Sequence, residues 1–138
     1  MLTDEHKRKI EYLREYLSAD KEVDRLTDEL EKWSSRARSV TNTLSAMPSV
    51  RKKSDKVADS VVNFDEIERE LRQAVQVVLR LKRDIEQKIN SVKEPHLREL
   101  LKARYLDGKR WEEIAFRSGY NWKYVHQLHE MALDMIRI

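Results

Sequence analysis

The chain reads as an all-α protein: a long antiparallel helical hairpin of coiled-coil character, followed by a C-terminal three-helix domain holding a helix-turn-helix. Three observations predict this. Glycine and proline number only 2 each among 138 residues while 38% are charged. That leaves little turn chemistry for sheets and favours helices with solvated faces. Apolar residues recur at alternating steps of three and four along two long stretches, the signature of a heptad seam. The C-terminal part then shows a short helix, a turn glycine and a second helix.

The first helix is predicted over residues 4–46. Leu26, Leu30, Trp33, Ala37, Val40, Leu44 and Met47 form its seam, and Ile10, Leu13 and Leu17 extend it upstream. Val23 is out of phase with that upstream part. Either Ser18-Ala19-Asp20 breaks the helix, with Asp20 capping the next, or one helix carries a local phase shift. Trp33 lies in the seam and is expected to pack in the core. Pro48 stops the helix. Residues 48–60 lose the period, are polar and basic, and read as a flexible linker, with a phosphate-contacting arm as the other reading. The second helix is predicted over 63–93. Asn63 would cap it, and Asp65 and Glu66 suit the positive end of the helix dipole. Phe64, Ile67, Leu71, Ala74, Val78, Leu81 and Ile85 form its seam, widened by Val75, Ile89 and Val92. Burying two such stripes, at roughly 25 cal/mol per Å² of apolar area, drives a hairpin. One hairpin makes a thin core, so the leftover stripe is expected to pair with a second protomer in a homodimer. Residues 1–94 thus read as a hairpin for oligomerisation or partner binding, and 95–138 as the helix-turn-helix domain.

That domain opens with Pro95, suited to the first turn of a helix because no amide partner is lost. Leu97, Leu100, Leu101, Arg104 and Tyr105 follow, and Gly108 ends the helix. The motif proper begins at Trp111-Glu112-Glu113-Ile114-Ala115, with Ile114 and Ala115 inward. Gly119 tolerates positive φ, and Asn121 can cap the second motif helix. Val125 and Leu128 mark its buried stripe, and the helix continues through Met131, Ala132, Leu133, Met135 and Ile136.

Composition excludes several function classes. Cysteine is absent, so disulfides and thiolate metal sites are ruled out. No apolar run approaches the ~20 residues needed to cross a bilayer. The N-terminal Met1-Leu2-Thr3-Asp4-Glu5-His6 lacks a signal-peptide apolar region. A soluble cytoplasmic protein without membrane contact is expected. No nucleophile, phosphate loop or paired buried carboxylates accompany Glu112 and Glu113, which suit the first turn of a helix. The chain is therefore read as no enzyme, with no cofactor. His126 and His129 are three apart beside Glu130, but nothing supplies further ligands, so no metal is expected.

The candidate chemistry lies on the second motif helix. Trp122, Lys123, Tyr124, His126 and Gln127 occupy its early positions, with Lys123, His126 and Gln127 expected on the outward face. Glutamine can pair bidentately with adenine, and lysine can reach guanine acceptors or phosphate. Trp122 and Tyr124 can stack on sugar or touch a thymine methyl, or else pack against the rest of the fold. Lys109, Arg110 and Arg117 flank the motif and suit phosphates. The formal net charge of +3 is small for a nucleic-acid binder. One protomer should bind DNA weakly, and dimerisation or a second DNA-binding partner would compensate.

Residues 97–133 resemble region 4 of sigma-70-type RNA polymerase factors. The shared pattern is Leu100-Leu101, Arg104-Tyr105, Gly108, Trp111 to Ala115, Gly119-Tyr120, Val125, Leu128 and Ala132-Leu133. The ending Leu128-His129-Glu130-Met131-Ala132-Leu133 looks more like bacteriophage late-gene activators of the ArpU and RinA type. Tyr16-Leu17, Arg36 to Thr41, Met47-Pro48 and Arg104-Tyr105-Leu106 are similar to a family of small Gram-positive phage and prophage proteins of uncharacterised function. The resemblance implies a phage or prophage origin, action in the bacterial host cytoplasm and a sigma-like DNA-binding tail. The recognition helix departs from the sigma pattern of several arginines and glutamates, so sigma promoter specificity does not transfer. The expected function is a transcription regulator that binds double-stranded DNA and recruits host RNA polymerase. The alternatives are a small terminase-like packaging subunit and a sigma-like protein-binding adaptor.

Overall fold

The computed structural model describes the backbone of residues 1–46 and 51–138, and the side chains of residues 1–39 and 64–138. Among the described residues the chain is all-helical: α1 (Asp4–Ala46), α2 (Arg51–Asn90), α3 (Pro95–Tyr105), α4 (Trp111–Ser118) and α5 (Trp122–Met135). Contacts group them into two compact units, Met1–Ala19 with Val78–Ile138, and Asp20–Val77.

α1 matches its expected bounds and runs unbroken through Ser18-Ala19-Asp20. The inward positions Leu17, Asp20, Val23 and Leu26 are three apart, and steps of four resume at Leu30. A helix absorbs such a shift by local overwinding rather than by breaking. Val23, which looked misplaced from sequence, is half-buried.

α2 corrects a boundary. It begins at Arg51, so Asn63 lies inside the helix and not at its N-cap. The expected linker therefore falls largely within α2, and Pro48-Ser49-Val50 lies outside the described residues. So do the side chains of the seam positions Val40, Leu44 and Met47. The loss of apolar period over 51–60 was misleading because a polar stretch without glycine or proline can continue a helix that is already nucleated.

In the Asp20–Val77 unit, Leu26 and Ile67 are buried, while Leu30, Trp33, Ala37, Phe64, Leu71 and Ala74 are half-buried. Arg25 of α1 feels the charge of Glu70, whereas the later Leu30, Ser34 and Arg38 share a surface cleft with the earlier Phe64. The two helices therefore run antiparallel. Trp33 is a partial core residue, with the Arg36 guanidinium 4.9 Å from its ring centroid.

The other unit holds the main core. Leu13 of α1, Ile85 and Ile89 of α2, and Val92 join Leu97, Leu100, Leu101 and Tyr105 of α3, Ile114 of α4, and Val125, Leu128, Ala132 and Leu133 of α5. The helix-turn-helix thus shares its core with the start of α1 and the end of α2, and contact does not divide the chain at residues 94 and 95.

Candidate nucleic-acid interface

The three C-terminal helices are set by local signals. Pro95 stands in the first turn of α3. After Tyr105 the chain turns at Gly108, φ 70°, and the Lys109 N–H donates to the Ala103 carbonyl at 2.9 Å. Gly119 ends α4 in the left-handed conformation at φ 71°, where a side chain would strain the backbone. Asn121 caps α5, its Oδ1 accepting from the Tyr124 N–H at 2.7 Å. The turn between α4 and α5 is therefore fixed by a residue free of Cβ and by one side-chain oxygen.

A buried polar cluster ties α3, α4 and α5 together. The Tyr105 hydroxyl meets His129 Nε2 at 2.7 Å. His129 is 5% exposed, and its pKa is pushed down to about 4, chiefly by burial and then by the neighbouring His126 and Arg104 charges. The imidazole is accordingly neutral at neutral pH and shares one hydrogen bond with the tyrosine hydroxyl. Burial in turn pushes the Tyr105 hydroxyl up to about 12. The Trp111 ring lies 4.5 Å from His129 and 5.1 Å from His126, with Arg104 4.7 Å from its centroid.

The far end of α5 is held by the first turns of α1. Thr3 Oγ1 accepts from the His6 N–H at 3.1 Å, and His6 Nδ1 accepts from the Thr3 N–H at 3.2 Å. This is a capping box with histidine in the role usually taken by glutamate. It leaves Nε2 as the protonated nitrogen, which donates to Asp134 Oδ1 at 2.6 Å. Lys9 Nζ donates to the Leu133 carbonyl at 2.7 Å, supplying a cation at the negative end of α5. Sequence reading missed this clamp; the only local trace of it was Thr3-x-x-His6 ahead of a helix.

The outer face of α5 is polarised. Successive residues turn by about 100°, so with Val125, Leu128, Ala132 and Leu133 buried, Lys123 and Gln127 fall opposite the core, and both are exposed. Tyr124, 41% exposed, and Trp122, 58% exposed, leave the first turn on opposite flanks. The first turn carries no acid, whereas Glu130 and Asp134 occupy the later part of the same face. An anionic partner is thus favoured only at the first two turns. His126 departs from expectation: its half-buried ring sits between Trp111 and Trp122, 4.0 Å from the latter, and its Nε2 is buried with no hydrogen-bond partner. It supports the tryptophan more than it faces outward.

The three expected phosphate ligands are spread out. Arg110 is exposed at the N-cap of α4 and Arg117 is exposed in its last turn. Lys109 is half-buried, and its carbonyl accepts from Arg104 Nη1 at 3.0 Å. Lys109 and Arg117 line one cleft of about 450 Å³ with His96, Glu99 and Tyr120 over an apolar floor of Leu100, Ile114 and Leu128; Arg110 does not reach it. Phe116, unremarked in sequence, is 88% exposed. It lies on the exposed side of α4, one turn after Glu112 in sequence. Among the described residues no group of three histidine, cysteine or acidic side chains converges to hold a metal ion, and no helix is long and apolar enough to cross a membrane. Comparisons with protein-family models, with curated proteins and with solved structures find no match to this chain.

Proposed function

We propose that this chain is a phage- or prophage-encoded transcription regulator that binds double-stranded DNA through α5 in the cytoplasm of the bacterial host. One observation carries the reading. The first two turns of α5 hold Lys123 and Gln127 outward, on a helix capped by Asn121 and anchored by a closed polar cluster. Helix-turn-helix proteins read base edges with the N-terminal residues of the second helix. In this reading Lys123 and Gln127 contact bases, Trp122 and Tyr124 contact bases or sugar, and His126 acts by buttressing Trp122. Lys109, Arg110 and Arg117 contact phosphates. The half-buried hairpin seam pairs two protomers, and host RNA polymerase is the partner recruited.

The test is a random-site selection followed by footprinting. Lys123→Ala with Gln127→Ala should weaken binding to the selected site by about 1–3 kcal/mol per lost base contact at unchanged helicity. An unaltered footprint would remove α5 from the role. Phe116 favours a second reading, a sigma-like adaptor that binds protein, since a bare phenylalanine 88% exposed offers an apolar contact that DNA phosphates do not need. Partner capture that survives high salt, with no DNA affinity at all, would select it.

A further inference from the structure

The geometry points to a specific kind of DNA target: a duplex opened or unstacked where α5 meets it, with an unpaired base stacking on Trp122. This rests on the DNA-binding reading of α5. A helix with ordinary side chains is roughly 10–12 Å across and fills a major groove of about 12 Å. In the first turn of α5 two large rings leave on opposite flanks, Trp122 58% and Tyr124 41% exposed. Both rings broaden the helix at the end that must enter deepest, so a widened or unstacked site accommodates it better than regular B-form DNA.

The rings are also preset. Trp122 packs at a tilt of 57° against His126, with ring centroids 4.0 Å apart, while 58% of it stays exposed. Tyr124 is held edge-on by Tyr120 at 4.9 Å and 86°. Orientation fixed before binding lowers the entropy cost of docking a flat partner. Charge agrees: Lys123 is exposed between the two rings and the turn has no acid, so a nucleotide's phosphate and base can be met together. Aromatic stacking is tolerant of base identity because every base offers a π-face. Phe116 lies outside this bracket, on α4.

The experiment compares, by fluorescence anisotropy, a fully paired duplex with the same duplex carrying a short central mismatch bubble. The expected result is roughly tenfold tighter binding of the bubble, within the range of one base–aromatic stack. Trp122→Ala should cut bubble affinity more than duplex affinity and bring their ratio close to unity, while Phe116→Ala leaves the ratio intact. Circular dichroism checks that both variants stay folded. Equal affinity for the two DNAs, with the duplex bound, overturns this inference and leaves the function standing. Binding to neither DNA removes the function itself. A loss of oligomer mass in light scattering on Trp122→Ala, with the DNA ratio unmoved, assigns the rings to a second copy and overturns it as well.

Discussion

His129 links the stability of the C-terminal helices to pH. Its imidazole is 5% exposed, packs at a tilt against Trp111 and is hydrogen-bonded to the Tyr105 hydroxyl at 2.7 Å. Its folded pKa is depressed from 6.5 to about 4. Between those values the unfolded chain takes up the proton and the folded one resists it. Stability is therefore complete above pH 6.5 and declines as the pH falls towards 4, by as much as about 3 kcal/mol. Urea denaturation at neutral pH and near the lower value should show that loss in the natural chain and a clearly smaller one in His129→Gln. Equal losses would mean that other groups govern acid unfolding. Tyr105 acts at the other extreme: raised from 10 to about 12, its hydroxyl gives stability that is lost as the pH climbs through that interval. Tyr105→Phe removes the hydroxyl and leaves His129 Nε2 without that hydrogen bond. Its expected cost is about 1–3 kcal/mol, read as a lower urea midpoint at neutral pH.

At the scale of elements, the turn between α4 and α5 separates conformational strain from packing. A Cβ at Gly119 would meet nothing within 4 Å, yet its φ is 71°. Gly119→Ala should therefore cost about 1 kcal/mol from backbone strain alone, and Gly119→Asn clearly less, since asparagine tolerates the left-handed region. Equal destabilisation by both would show that the loss is steric and that the turn is tighter than described. Asn121→Ala should cost about 1 kcal/mol as well, through loss of the α5 cap. These features were legible because turn glycines and caps act over three or four residues of sequence. The seams of α1 and α2 were largely legible for the same reason, an apolar period being local, although Val75, expected to widen the second, is exposed. Three things were not. The start of α2 at Arg51 was hidden because a polar stretch lacks the apolar signal by which helices are traced. The clamp of His6 and Lys9 on the end of α5 joins residues more than a hundred positions apart, and no periodicity reports that. His126 was placed outward because it lies on the flank of α5, and only the presence of two tryptophans beside it turns the ring inward.

For the molecule as a whole, charge sets what the proposed DNA binding would look like. The net formal charge is +3, and α5 turns acidic after its second turn. Few cations are therefore available to any one phosphate backbone: Lys109, Arg110, Arg117 and Lys123 are the ones the proposed function assigns to it. Lys109 is half-buried and its share is the smallest. If about three of them displace counterions, the logarithm of affinity should fall against the logarithm of salt with a slope of roughly −3 for one protomer. Two protomers on adjacent half-sites would double it. Titrations from low to moderate salt, with the mass of the complex measured by light scattering, give slope and stoichiometry together. Arg110→Ala and Arg117→Ala should each flatten the slope by about one per protomer and weaken all sequences alike. Lys123→Ala with Gln127→Ala should instead change affinity mostly at the preferred site. A steep slope from a complex containing one protomer would locate the phosphate contacts elsewhere, and the basic run Arg51-Lys52-Lys53 at the start of α2 would be the first place to substitute. A slope near zero with tight binding would mean that burial of Phe116 and its neighbours, and not ion release, drives association, and would favour the protein-binding reading over the DNA-binding one.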